Sequence, residues 1–405
     1  MADNKNKKLK FGTIQKQVFA EQRKFRYSDD VKGGIAYYGV YNDLPDRYLK
    51  LLDDSPTHYV ATEGTVRFIQ ANGLTTASGE LPMLGPMDGQ GQRMPGINTL
   101  QETWSELFEK IAWDFKVLGG FAIEVIWNRD RSAIAELYHI PFKDVRAEEK
   151  NYRGLIENWY VSNRWNKIKT PNDDTVRLPI FNANKRADEP KQILVVKAHN
   201  PNSEYYPEPD YKGGLSAILI EKLVALFKVK YINSAIATSL IIQTFGNFTD
   251  DSWTDLMRNI NSLQGANNAG DVPVFNSASA ADAIQFTTNT SSKAVAETYN
   301  TWIDYAKDDI YGVHSISAQE AFGSDSDEAW LGADNVMEKF QLFLNTKIRS
   351  FQMPILNGLN KIGAWMGVED FSIEPMELFE GLQTNVEPIT PETDGTSTPP
   401  VGEQA

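Results

Sequence analysis

Residues 215–237 leave a chain like this the fewest options. They read as one long helix opened by Gly213-Gly214, and its apolar residues are not confined to one face. Leu215, Ile218, Leu219, Leu223, Leu226 and Phe227 form one stripe, and Ile220, Val224 and Ile232 widen it. A helix that is apolar nearly all round has to be covered on several sides. In a chain of 405 residues this suggests packing against neighbouring copies; a central core helix would satisfy the segment equally well. A membrane span does not, because Glu221, Lys222, Lys228 and Lys230 interrupt the run and a span needs about 20 apolar residues.

The flanking sequence predicts what this helix is attached to. Before it, residues 36–212 read as a mixed α/β region. Ser55 is a good N-cap, with Pro56 at the first position of a helix running to about Gln70. Leu100, Trp104, Leu107, Phe108, Ile111 and Phe115 form one apolar stripe, which predicts a second helix over 99–116. The segments 121–127, 133–139, 159–165, 175–181 and 193–197 alternate like strands and are separated by turn signals, so an α+β layer with a twisted antiparallel sheet is expected. A hinge rich in Pro and Tyr, residues 200–214, follows. After the long helix come a βαββ module over 240–290, a returning helix over 292–311, a polar segment from Gly312 to Ala329, and a last helix from about Ala333 to Ala364. Pro354 lies inside that helix and should kink it.

Composition closes off several chemistries. There is no cysteine, so disulfides, thiolate metal sites and thiol nucleophiles are excluded. The formal charge of −14 argues against a broad basic grip on nucleic acid. Charge is uneven: residues 1–24 hold seven basic side chains against two acidic ones, whereas nine acidic and no basic residues follow Lys361. Gly265 and Gly270 have P-loop spacing, but Asp271-Val272 stands where Lys-Ser/Thr is required. His58, His139, His199 and His314 lie far apart and make no HExxH or i, i+4 pair. Asp325, Asp327 and Glu328 could hold a divalent ion, which keeps a metal-dependent hydrolase as an alternative; acids at a helix N-terminus are also ordinary dipole complements.

The hinge Tyr205-Tyr206-Pro207-Glu208-Pro209-Asp210-Tyr211-Lys212-Gly213-Gly214-Leu215 resembles a segment of tailed-bacteriophage portal proteins. So do Asn267-Asn268-Ala269-Gly270 before a strand, and the segment from His314 to Gly323 ahead of the last helix. The order of these parts, over roughly Leu44 to Ile362, is more telling than any one of them. The resemblance implies a portal fold. Residues 1–35 would be a basic arm, 36–212 the wing, 213–239 and 291–312 the two stem helices, and 240–290 the clip. Residues 313–330 would be the tunnel loop, 331–366 the kinked wing helix with little or no crown, and 367–405 an acidic, largely disordered tail. Ser315, Ser317, Gln319, Glu320, Ser324 and Asp325 would face DNA in the channel, and Leu219, Leu223, Phe227 and Trp302 would pack the stem.

Family members form rings, usually of twelve, at one capsid vertex. The implied partners are further copies of the chain, double-stranded DNA in the channel, the terminase large subunit, a head–tail adaptor, and the major capsid and scaffolding proteins. The resemblance implies no enzymatic activity, cofactor or membrane. It places the protein in the virion after assembly in the bacterial cytoplasm. Another virion ring component, an adaptor or baseplate protein, is the second alternative. The physics is compatible: a conduit should bind DNA weakly, because each phosphate neutralised adds affinity and slows sliding.

Overall fold

Local chemistry sets where the helices begin. The computed structural model describes residues 25–376, apart from 86–89, 91–92, 169, 172–173, 234–241, 246–248, 252, 255–273, 278–291 and 317–338. Helix α1 spans Leu44–Asp54 and α2 spans Pro56–Gln70. Ser55 caps α2, its hydroxyl accepting from the His58 N–H at 3.2 Å, with Pro56 in the first turn as expected. Helix α3 spans Trp104–Leu118, five residues shorter at its start than the apolar stripe suggested. Thr103 and Glu106 form a capping box there. Just upstream, Asn98 Oδ1 accepts from the backbone N–H of Leu100 and Glu102 and holds residues 98–102 in a turn. Leu100 therefore lies outside the stripe and is 77% exposed.

The chain divides into two compact units, one of them Gly214–Ile310, the other built from the chain on either side, Phe19–Gly213 with Tyr311–Ala405. The second unit is organised on a three-stranded antiparallel sheet. Strand β4 (Gly120–Trp127) lies between β5 (Ile134–Ile140) and β9 (Lys191–Lys197). A second antiparallel sheet, β6 (Val145–Ala147), β7 (Asn158–Val161) and β8 (Val176–Pro179), is tied to the first by a bridge between Ile180 and Ile193.

Alternation along β4 sends Phe121, Ile123, Val125 and Trp127 into one core. That core is shared with Leu107, Phe108, Ile111 and Phe115 of α3 and with Ile355, Leu356, Leu359 and Ile362 of α6, Arg349–Gly363. Each such side chain contributes about 1.5–3 kcal/mol by leaving water. Helix α6 follows a π-helical turn, Leu344–Ile348, and runs through Pro354 without ending. It approaches the sheet closely at Gly358, where a Cβ would meet Val196 Cγ2 at 2.6 Å and Phe121 Cζ at 3.2 Å.

The ends of the described chain are built into this unit. Phe25 is buried and tilted against Tyr48 at 5.4 Å, the hydroxyl of Ser203 donates to Asp29 at 2.6 Å, and β1 (Val31–Lys32) pairs with β2 (Ile35–Ala36). Within residues 25–35, assigned above to a basic arm, Phe25 and Ile35 are thus buried. At the other end β12 (Phe371–Ile373) pairs antiparallel with β3 (Leu74–Thr76), and Phe371 is buried against Trp104. The first residues of the expected acidic, disordered tail are accordingly folded: an alternating Phe-Ser-Ile triplet has an edge to pair with, and two of its three side chains are buried.

The Gly214–Ile310 unit holds α4, Leu215–Asn233, and most of α5, Ser292–Val313. Strands β10 (Ile242–Phe245) and β11 (Val274–Ser277) pair in parallel, as a crossover between them requires. The third strand of the expected βαββ module, over 283–288, lies outside the described residues, as does most of its helix. Phe227 of α4 stacks on Tyr299 of α5 at 4.3 Å.

Candidate functional site

The residues singled out from the sequence fall in three places. Of the tunnel-loop set, Ser315 is described: it has a positive φ of 60° and its N–H donates to the Gly312 carbonyl at 2.9 Å. Ser317, Gln319, Glu320, Ser324 and Asp325 lie outside the described residues, and so do Asp327 and Glu328 of the alternative metal site. Of the stem set, Leu219 is buried and Leu223 half-buried, and Phe227 stacks on Tyr299, which also meets Trp302 edge-on at 5.4 Å. Among the described residues no group of three or more His, Asp or Glu side chains could hold a metal ion.

The apolar-all-round pattern of α4 has a counterpart in exposure. Leu226 and Val229 on α4 and Trp302 and Tyr305 on α5 are 44–66% exposed within the single chain.

A polar cluster that the sequence did not announce lies within the sheet-bearing unit. Lys116 lies in the last turn of α3, yet it is fully buried. Its ammonium donates to both carboxylate oxygens of Asp210, at 3.0 and 2.9 Å. Lys347, from the π-helical turn, reaches the same carboxylate at 2.8 Å. Burial pushes the Asp210 pKa up, but the two lysines more than reverse this and hold it low. Burial lowers the pKa of Lys116, against the pull of Asp210.

Beside this triad three rings meet. His58 Nδ1 and His314 Nε2 are 3.0 Å apart, joining residues 256 positions apart in sequence. Tyr211 stacks on His314 at 5.5 Å and 14°, lies edge-on to His58 at 4.4 Å, and donates its hydroxyl to the Val117 carbonyl at 2.8 Å. Burial first, then the positive charge of Lys116, drives the His58 pKa down to about 3, and His314 is lowered well below its ordinary value for the same reasons. Both imidazoles are therefore neutral at pH 7. A second fully buried cation, Arg146, is satisfied by the side-chain and main-chain oxygens of Asn42 and the carbonyls of Lys143 and Val145. The arrangement is a polar cluster of paired charges and neutral rings.

No protein-family model matches the chain, and no curated protein matches it. Solved structures do. The chain is similar to a chain in the structure of the neck of an empty GTA particle computed with C6 symmetry, with a TM-score of 0.51 and 13% identity over 84% of this chain and 86% of that one. The two share a fold. It is an α+β fold, as expected. More distant likenesses are to the neck of the native GTA particle computed with C12 symmetry (TM-score 0.49, 14% identity, 84% and 85% covered) and to an HK97 family phage portal protein from Corynebacterium diphtheriae (TM-score 0.43, 11% identity, 77% and 89% covered).

Proposed function

We propose that the chain is a portal-type subunit, a structural protein whose copies close into a ring at one capsid vertex and surround the channel through which double-stranded DNA enters and leaves. The observation that carries this reading is the shared fold with a chain of a particle neck over 84% of the sequence. Two features support it. The exposed Leu226, Val229, Trp302 and Tyr305 give the Gly214–Ile310 unit an apolar surface of the kind that ring neighbours cover. The net charge of −14 suits a duct that lets DNA slide. In this reading the ring docks the terminase large subunit during packaging and a head–tail adaptor afterwards, contacts the major capsid and scaffolding proteins, and performs no bond chemistry. No helix among the described residues is long and apolar enough to cross a membrane.

Native mass spectrometry and negative-stain imaging of the purified chain test the proposal. The expected result is a closed ring of about twelve copies with a central hole. A compact dimer without a channel would overturn it.

A further inference from the structure

The chain leaves the sheet-bearing unit after Gly213 and returns to it at Tyr311. Asp210 and Tyr211 stand just before the first crossing and His314 just after the second. Within that unit the two ends are held together by the stack of Tyr211 on His314 and the bond from His314 to His58, which α2 anchors. Asp210 is fixed in turn by Lys116 of α3 and Lys347. The residues that bracket both crossings thus share one cluster, in which Tyr211, His314, His58 and Lys116 are fully buried.

The bond between the imidazoles sets how this cluster responds to protons. One ring nitrogen must donate and the other accept, so the pair as drawn carries one N–H between the rings. Each ring keeps one further buried nitrogen without a hydrogen-bond partner, His58 Nε2 and His314 Nδ1. Protonating both rings would set two N–H groups against each other at 3.0 Å. Even one added proton places a positive charge beside Lys116 and Lys347, with Asp210 opposing them among the described residues. Among the described residues the phenols of Tyr48 of α1, edge-on to Tyr211 at 6.1 Å, of Tyr38 and of Tyr211 itself also lie near; all are uncharged throughout the acid range.

We propose that the His58–His314–Tyr211 cluster is an acid-released latch on the two chain crossings: neutral imidazoles hold residues 210–211 and 314 together, and protonation frees them. The inference stands on the geometry of one unit and does not require the ring. For His58 alone, a shift from about 6.5 when freed to about 3 when latched favours opening by about thirty-fold at pH 5.

Hydrogen exchange of the full chain between pH 7.5 and 4.5, corrected for its intrinsic pH dependence, tests this. Peptides covering 205–216 and 308–316 should lose protection below about pH 5.5, before those of α3 and β4. The double variant His58→Gln/His314→Gln, which cannot take these protons, should lose the acid step. Lys347→Met, which leaves the Lys116–Asp210 pair in place and removes one of the charges that repel the added proton, should move the step to lower pH. The proposal is overturned if the crossings and the sheet lose protection together, or if the double variant keeps the wild-type step. Should the double variant fail to fold, an unmoved step in Lys347→Met overturns it.

Discussion

Replacing Asp210 with Asn should be among the most damaging single changes in the sheet-bearing unit. Asp210 is the shared carboxylate of two lysines, one fully buried and one 18% exposed. Removing it leaves the Lys116 ammonium in the protein interior with no counter-charge. Breaking a buried pair from one side costs about 3–5 kcal/mol, because the remaining ion keeps its desolvation penalty. The reverse change, Lys116→Met, should cost much less, about 1–2 kcal/mol. Asp210 then still has Lys347 at 2.8 Å, and methionine fills the space against Phe351 and Tyr211 that the lysine stem occupies. The double variant should recover most of the loss, since the fully buried ammonium is gone and the cation left without the carboxylate, Lys347, is 18% exposed. The measurement is native-state hydrogen exchange of the slowest amides of α3 and β4, which reads the opening of this unit separately from the Gly214–Ile310 unit. If Lys116→Met proves as costly as Asp210→Asn, or the double variant is no better than Asp210→Asn alone, the reasoning is refuted.

Other outcomes follow from individual contacts. His58 titrates at about 3 in the folded chain against about 6.5 unfolded, so the unfolded state binds the extra proton. Stability is then complete above pH 6.5 and declines as pH falls toward 3; at pH 5 the loss from His58 is about 2 kcal/mol, with His314 adding in the same direction, as urea titrations at pH 7.5 and 5 would register. Gly358→Ala should destabilise by about 1–3 kcal/mol through overpacking against Val196 and Phe121, and Val196→Ala in the same chain should return part of it; equal midpoints for the single and double variants would contradict the close-approach account. Thr103→Ala should cost about 1 kcal/mol through loss of the α3 cap, seen as a lower Tm. Leu226→Glu should leave far-UV circular dichroism and Tm nearly unchanged, yet abolish the ring in native mass spectrometry; an intact ring would remove that surface from the interface.

What could be read in advance was local. Ser55-Pro56 announced α2 because a cap and a proline act within one turn, and the strands around β4 were visible by alternation. The start of α3 was misplaced because periodicity alone counts Leu100, whereas the side chain of Asn98 diverts the backbone first. Nothing local marks Lys116 as buried; only Asp210, 94 residues away, makes that position tolerable. The four histidines looked unrelated because sequence spacing carries no information about a pair that meets across 256 residues. The Phe371–Ile373 strand was hidden in an acidic stretch, and its partner is β3, near the other end of the same unit.

The discontinuity of that unit has a consequence for biosynthesis. Phe121, Ile123 and Val125 face a layer that includes α6, and α6 emerges from the ribosome only after the whole Gly214–Ile310 unit has been made. At about 5–20 residues per second, the roughly 150 residues between Gly213 and Gly363 take some 8–30 s to synthesise. For that interval an apolar sheet face waits without its helix. The nascent chain is therefore most exposed to aggregation, and most dependent on chaperones, in the window between completion of β9 and arrival of α6. Slowing translation downstream of codon 213 should lower soluble yield, although it leaves the folded protein unchanged.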